Sequence, residues 1–322
     1  MPSNASSSVI RFAPLYQERV WGGRHMESLY GRKLPDETAA YGESWEICDR
    51  PEAQSLILEG KYEGWTLHEL WQKARTEVFG LPFKDHAAER FPLLIKILDA
   101  QDNLSVQVHP DDRTAPLLHG EAKSEAWFVT HATPQAKLYA GLRPGTTAEV
   151  FARGLADGTM MNLVNTLTVA AGDCLDIPGG TLHAIGAGLV IFEIQQNSDT
   201  TYRIFDWNRP GLDGKARPLH PEQSMQALNF ELPPCRPQRL DHGGIFEGSY
   251  FQLKLSRLRP SETFELPVQD KFSIGAVVSG AMSMAGERFT PGDFFLVPAS
   301  LTAEARSMTA TAQEVSLLWI TL

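Results

Sequence analysis

The chain has 322 residues, 43% hydrophobic and 21% charged, which is the composition of a soluble globular protein with room for one large domain or two ordinary ones. Its net charge of −10 argues against nucleic acid as a partner and requires any anionic ligand to be met by a local cluster of cations. Three cysteines without CxxC spacing fit a reduced cytoplasm; the start, MPSNASSSVIRF, lacks the pattern of a signal peptide, and no stretch reaches bilayer length.

Short Val/Ile/Leu/Phe runs punctuated by 21 prolines and 26 glycines predict a mostly β protein with a few helices. In chain order, SLILEG is the first strand candidate, followed by a helix near 65–80 that Thr66 can cap. The strands LLIKILDA, LSVQVH, EAWFVTH and KLYAGL come next, then a helix near 147–155. NTLTVAAGD, CLDIP and LVIFEIQQ read as strands, and PEQSMQALNF, 221–230, as a third helix. Prolines cluster in ELPPCRPQRLDHGG, which predicts a boundary dividing 1–235 from 236–322. Beyond it, FQLKLSRL, FSIGAVVSG, AMSMAG, FFLVP and VSLLWITL form a second run of strands.

A repeat organises these elements. GDCLDIPGGTLHA begins at Gly172 and GDFFLVPASLTAE begins 120 residues later at Gly292, each with Gly-Asp, a strand, and Pro six residues after the Gly. The eleventh residue after the Gly is His183 in the first copy and Ala303 in the second. Two copies of one β-turn-β unit predict two small barrels, one able to bind something and one that has lost the means.

Within LSVQVH, period-2 alternation sends Val106 and Val108 to one face and Gln107 and His109 to the other. Alone, that pattern equally describes a solvated outer face. Two further segments change the reading: GEAKSEAWFVT starts a strand at Glu125 with Lys123 two residues before it, and IPGGTLHAIGAG sets His183 just past a Gly-rich turn. Two imidazoles, a carboxylate and an amide oxygen suit a divalent transition metal, zinc most naturally, in an open site of the catalytic type. In LVIFEIQQNSDTTYR, alternation places Glu193, Gln195 and Asn197 opposite Val190, Phe192 and Ile194. Inward polar groups of this kind are costly unless a metal and substrate use them. Lys96, which interrupts an apolar run, and Lys123 are the cations assigned to a substrate anion.

The spacing G-x5-P-x-G-x2-H from Gly172 to His183 resembles the second cupin motif, and EAWFVTHA the end of the first, with Ala132 where a Gly is usual. The opening H-x-H of cupins appears here as Gln107-x-His109. That departure, with PLLIKILDA, VQVHPDD, KSEAWF, IPGGTLHAIG, WGG at Trp21–Gly23 and GESWEI at Gly42–Ile47, resembles the type I phosphomannose isomerases, most closely their shorter bacterial members. The resemblance runs from the N-terminus to the last strand. It implies two cupin-type β-barrels (jelly rolls) with inserted helices, the C-terminal one a degenerate copy without metal ligands. It implies one zinc per chain on Gln107, His109, Glu125 and His183, and isomerisation of mannose 6-phosphate to fructose 6-phosphate through a cis-enediol. It also implies that Arg203 is catalytic and that Glu193, ten residues before it, is the proton-transferring base; the larger members read SDNVVR where this chain has SDTTYR. A phosphosugar is the expected partner, with no nucleic acid or membrane. The competing readings are another metal-dependent cupin enzyme, such as a dioxygenase or a different sugar-phosphate isomerase, and a non-catalytic phosphosugar-binding cupin.

Overall fold

The computed structural model describes residues 8–241, 243–267, 269–311 and 313–322; residues 1–7, where no leader is expected, lie outside the described residues. The first half opens with β1 (Leu15–Gly23), β2 (Tyr41–Ile47) and a small ribbon of β3 (Asp49–Arg50) and β4 (Ala53–Gln54). β5 (Leu93–Ala100), β6 (Val106–Val108), β7 (Glu125–Ala132), β8 (Lys137–Leu142), β9 (Val164–Thr168) and β10 (Asp173–Ile177) follow. β11 (His183–Ile185), β12 (Leu189–Gln196), β13 (Tyr202–Phe205) and β14 (Gln238–Arg239) complete it. They form a sheet in the order β1-β2-β5-β12-β7-β10-β14 and a second in the order β13-β6-β11-β8-β9. The second half has β15 (Ile245–Glu247), β16 (Gln252–Leu258), β17 (Thr263–Glu265), β18 (Ser273–Ser279) and β19 (Met282–Met284). β20 (Glu287–Phe289), β21 (Phe294–Val297), β22 (Ser307–Ala310) and β23 (Val315–Thr321) end the chain. Their sheets run β15-β16-β23-β18-β21 and β17-β22-β19-β20.

In each half the two sheets pack face to face: Leu98 and Trp127 share a core with Leu138 and Ile185, and Val277 and Leu317 share one with Met282 and Met308. Among the described residues no ladder joins the sheets of a pair, so the expected barrels are open sandwiches closed by side chains rather than by backbone bonds. The strands KLYAGL and LVIFEIQQ have the expected bounds. SLILEG does not form a strand; it makes single bridges, because Gly64 folds back to bond Ile57 and leaves Leu56 and Leu58 half exposed. β1, β2 and β13 were not expected, since charged residues break their apolar runs, nor was β22, in which Ser307 and Thr309 leave only two apolar residues.

Among the described residues four α-helices decorate the sheets: α1 (His25–Tyr30), which was not expected, α2 (Leu67–Lys73), α3 (Ala148–Ala156) and α4 (Pro221–Ala227). Thr66 caps α2 with a reciprocal bond from the Thr66 N–H to Glu69, as its position predicts. A π-helical turn, Arg75–Phe79, continues α2 to Gly80 at φ 99°, where the backbone meets Lys271 of the second half. A Cβ at Gly80 would lie 2.0 Å from the Asp270 carbonyl, so only glycine allows that approach. Phe79 and Phe91 each pack against Phe272, at 5.2 and 5.6 Å between ring centroids. The halves are therefore joined by a shared core, into which β12 sends Val190, Phe192 and Ile194.

The repeat holds residue by residue. Gly172 and Gly292 both take positive φ, 93° and 84°, and donate to Val129 and Val277 carbonyls at 2.7 and 2.8 Å. The Asp173 and Asp293 carboxylates each accept a backbone N–H at 2.8 Å, from Ala170 and Thr290. Even the bulge is shared: Ile191 pairs Val129 and Val190 pairs His131, while Leu317 pairs Val277 and Ser316 pairs Ser279.

Candidate metal centre and substrate pocket

β6 is the strand on which the site is built. Val106 and Val108 are sealed in a core with Ile204 and Tyr202, which leaves Gln107, and His109 just past the strand, on the opposite face. β6 lies between β11 and β13, and Gln107 pairs with His183 on one side and Arg203 on the other. Glu125 starts β7 in the facing sheet and pairs with Gln195. Three segments separated by tens of residues thus meet across one sandwich.

One ligand atom each from His109, Glu125 and His183 falls within 4.8 Å of the others, and all three side chains are about 1% exposed. His109 Nδ1 bonds the Thr200 carbonyl at 2.8 Å and His183 Nδ1 bonds the Thr181 carbonyl at 2.9 Å. Those carbonyls can only accept, so both Nδ1 atoms carry the proton and both Nε2 lone pairs face inward. Nε2 of His109 and His183 lie 3.2 and 3.8 Å from the Glu125 carboxylate, and the Gln107 amide lies 3.3 Å from His183 Nε2. Ligands about 2.1 Å from a tetrahedral ion are roughly 3.4 Å apart, so the residues fit a divalent metal. Glu125 Oε1 is buried and faces both the Lys123 ammonium, at 2.6 Å, and His109 Nε2, at 3.2 Å, so the donor set of two imidazoles and a carboxylate is what fits a cation here.

Electrostatics favour the states a metal needs. Burial and the Lys123 ammonium press the His109 imidazolium down to about 3, and burial lowers His183 as well, so both rings are neutral. Burial alone would raise Glu125, but the Lys123 ammonium, 2.6 Å away, holds it well below the usual carboxylate range.

Beside these ligands opens a cavity of about 550 Å³, lined by Gln107, Lys96, Lys123, Glu193 and Arg203 among others. Lys96 sits between Glu43 and Glu193, at 3.6 and 3.5 Å, and these partners raise its pKa against the cost of burial. Glu193 also accepts from Trp127 Nε1 at 3.1 Å; that indole lies 3.2 Å from Glu125 as well. Burial and the Glu125 charge push the Glu193 carboxyl up to about 7. Arg203 donates to Ser105 Oγ and to the Pro218 carbonyl, at 3.3 and 3.2 Å, and is not ion-paired with any acid among the described residues. Asn197, expected beside Glu193, turns away instead, because the chain leaves β12 at Gln196 and its amide ties down the Asp49 and Phe91 carbonyls.

Several lining residues carried no assigned role in the sequence. Arg19 is held by Glu43 at 2.8 Å, and Arg217 by Asp206 at 2.5 and 2.6 Å. Lys96 and Arg19, despite the burial that opposes it, draw Glu43 down to about 2. Glu43 lies within GESWEI, whose resemblance was visible without a function; Arg217 sits in a loop with no local signal at all.

Residues 9–128 match the family described as phosphomannose isomerase type I, catalytic domain. The chain is 36% identical over 306 residues to a mannose-6-phosphate isomerase of Bacillus subtilis, covering 90% of this chain and 93% of that one. Its fold is similar to the crystal structure of a Bacillus subtilis mannose 6-phosphate isomerase, with TM-score 0.84 and 27% identity over 98% of this chain and 100% of that one. A zinc-bound mannose 6-phosphate isomerase shares the fold at TM-score 0.75 and 17% identity, over 98% and 100% of the two chains.

Proposed function

The chain belongs to the type I phosphomannose isomerases, and we propose on that premise that its pocket interconverts mannose 6-phosphate and fructose 6-phosphate with one zinc per chain. The single observation that carries the reading is the convergence of His109, Glu125 and His183 beside a cavity lined by Gln107, the Glu193 carboxyl and the Arg203 guanidinium. His109, Glu125, His183 and the amide oxygen of Gln107 would hold the zinc, given that the amide's two ends are interchangeable in placement. When bound, the ion supplies Lewis-acid polarisation of the sugar's carbonyl and hydroxyl oxygens.

The activity is aldose–ketose isomerisation, whose hard step is removal of a proton from carbon next to a carbonyl. Glu193 is the base: a carboxyl near 7 is balanced between holding and releasing a proton at neutral pH. Trp127 and Lys96 fix its orientation. Lys96 and Lys123 serve the substrate's negative charge with the ammonium donors that their carboxylate partners leave free. Arg203, adjacent to Gln107 in the ladder, donates its planar fork to the developing oxyanion or to the phosphate. Each half follows the cupin-type plan as an open sandwich, divided at 1–235 and 236–322 except that β14 returns to the first half's sheet, the second half is without ligands, and the enzyme works in the cytoplasm. Among the described residues no helix is long and apolar enough to cross a membrane.

Purified protein assayed for fructose 6-phosphate formation should be active, lose activity on chelation with one zinc per chain, and regain it on zinc return. Binding of mannose 6-phosphate without interconversion would support a phosphosugar sensor. Iron in place of zinc, with oxygen consumption, would support a dioxygenase.

A further inference from the structure

The second half retains a cavity in the place where the first has its pocket. Lys96 pairs Glu193 across the ladder, and Lys254 pairs Trp319 in the same register. Glu193 and Trp319 in turn lie opposite Trp127 and Gly275, each two residues into strands that begin at Glu125 and Ser273. Lys254 therefore stands for Lys96, Trp319 for Glu193 and Ser273 for Glu125. Together with Ser256, Thr321 and Phe264, they line a cavity of about 290 Å³.

The two cavities differ in what their polar groups do. In the first, Lys96 and Glu193 hold one another. In the second, the Lys254 ammonium, the Trp319 indole N–H and the hydroxyls of Ser256, Ser273 and Thr321 have no hydrogen-bond or ion-pair partner among the described residues. Ser273 and Trp319 are only 6% and 7% exposed, and both line this cavity. Donors left free by the protein are available to a ligand that replaces the water at them. Among the described residues no Asp or Glu lines the cavity, whereas Lys254 and Lys271 both do, in a chain with net charge −10. The lining thus lacks metal donors and favours an anion.

We propose that this cavity binds one hexose phosphate per chain without a metal. The Trp319 and Phe264 rings offer apolar faces to the sugar's C–H surface. The three hydroxyls match sugar hydroxyls, and Lys254 meets the phosphate. The volume sits near the lower bound of roughly 300 Å³ for small-ligand pockets, which suits a single sugar ring and its phosphate. The proposal does not depend on turnover, since it concerns residues remote in sequence from the metal ligands.

Equilibrium dialysis of the holoenzyme against labelled mannose 6-phosphate tests it. The wild type is expected to bind one more ligand per chain than Lys254→Glu, or that variant to weaken the second site at least about tenfold, with turnover unchanged and so the fold intact. Trp319→Phe is expected to lose the ligand-dependent fluorescence change assigned to this site. Equal stoichiometry and affinity in wild type and Lys254→Glu would overturn the proposal. So would unphosphorylated mannose occupying the second site as tightly as mannose 6-phosphate.

Discussion

The two halves share a backbone plan down to a bulge and a Gly-Asp turn, yet they close the same corner of the sandwich by different chemistry. In the first half, the Pro178–Thr181 turn leads into β11, and His183 turns its lone pair toward Glu125 and His109. In the second, Ala303 stands where His183 would, and a 3-10 turn, Glu304–Arg306, brings in a guanidinium instead. Arg306, 1% exposed, donates to the carbonyls of Leu301, Pro298, Ala299 and Pro267. One corner thus presents lone pairs to a cation, and the other presents carbonyls to a cation already attached to the chain. A sandwich corner can be closed by either arrangement, but only the first leaves an exchangeable position for substrate chemistry.

The largest effect should come from dismantling the first corner. Glu125→Ala or His183→Ala is expected to strip zinc and lower turnover by about 10³-fold, since several kcal/mol of charge stabilisation is lost. Stoichiometric zinc with normal turnover in both variants would break the contrast at its root. Removing the second corner's cation should act on stability alone. Arg306→Met is expected to cost about 3 kcal/mol in denaturant unfolding by orphaning buried carbonyls, with zinc content unchanged. Metal loss in that variant would mean that the corners are not independent.

A smaller effect separates the pocket cation from the ligands. Arg203→Lys should keep zinc and lower turnover by about 10²-fold, the scale of losing one oriented donor; wild-type turnover would remove Arg203 from the reaction. The smallest effect lies in the second half, where burial and the neighbouring Glu59 push the Glu287 carboxyl up to about 7. A carboxyl raised in the fold binds its proton more tightly there than in the unfolded chain. Its contribution to stability is therefore full below about 4.5 and falls as pH rises toward 7. Glu287→Gln should accordingly be more stable than wild type by on the order of 1 kcal/mol at pH 8, after solvent screening, and no more stable at pH 4. A difference independent of pH in thermal melts would show that Glu287 is not held protonated.

Much of this contrast was legible before folding. Period-2 alternation in VQVH and LVIFEIQ told which side chains share a face, because strand geometry is local. The spacing of two Gly-Asp turns gave the duplicated unit, and the His183–Ala303 difference told which copy keeps a ligand. What the sequence by itself determined was the donor set and the faces on which it sits. Only tertiary structure decided which partner each donor meets. Arg203 lies beside Gln107 because β13 pairs β6, 96 positions away in the chain, and Lys96 is committed to Glu43 and Glu193 because three strands align them. The roles of Arg19, Arg217 and Arg306 were likewise hidden, since an ion pair or a carbonyl cage depends on distances of a few ångströms that no local pattern encodes.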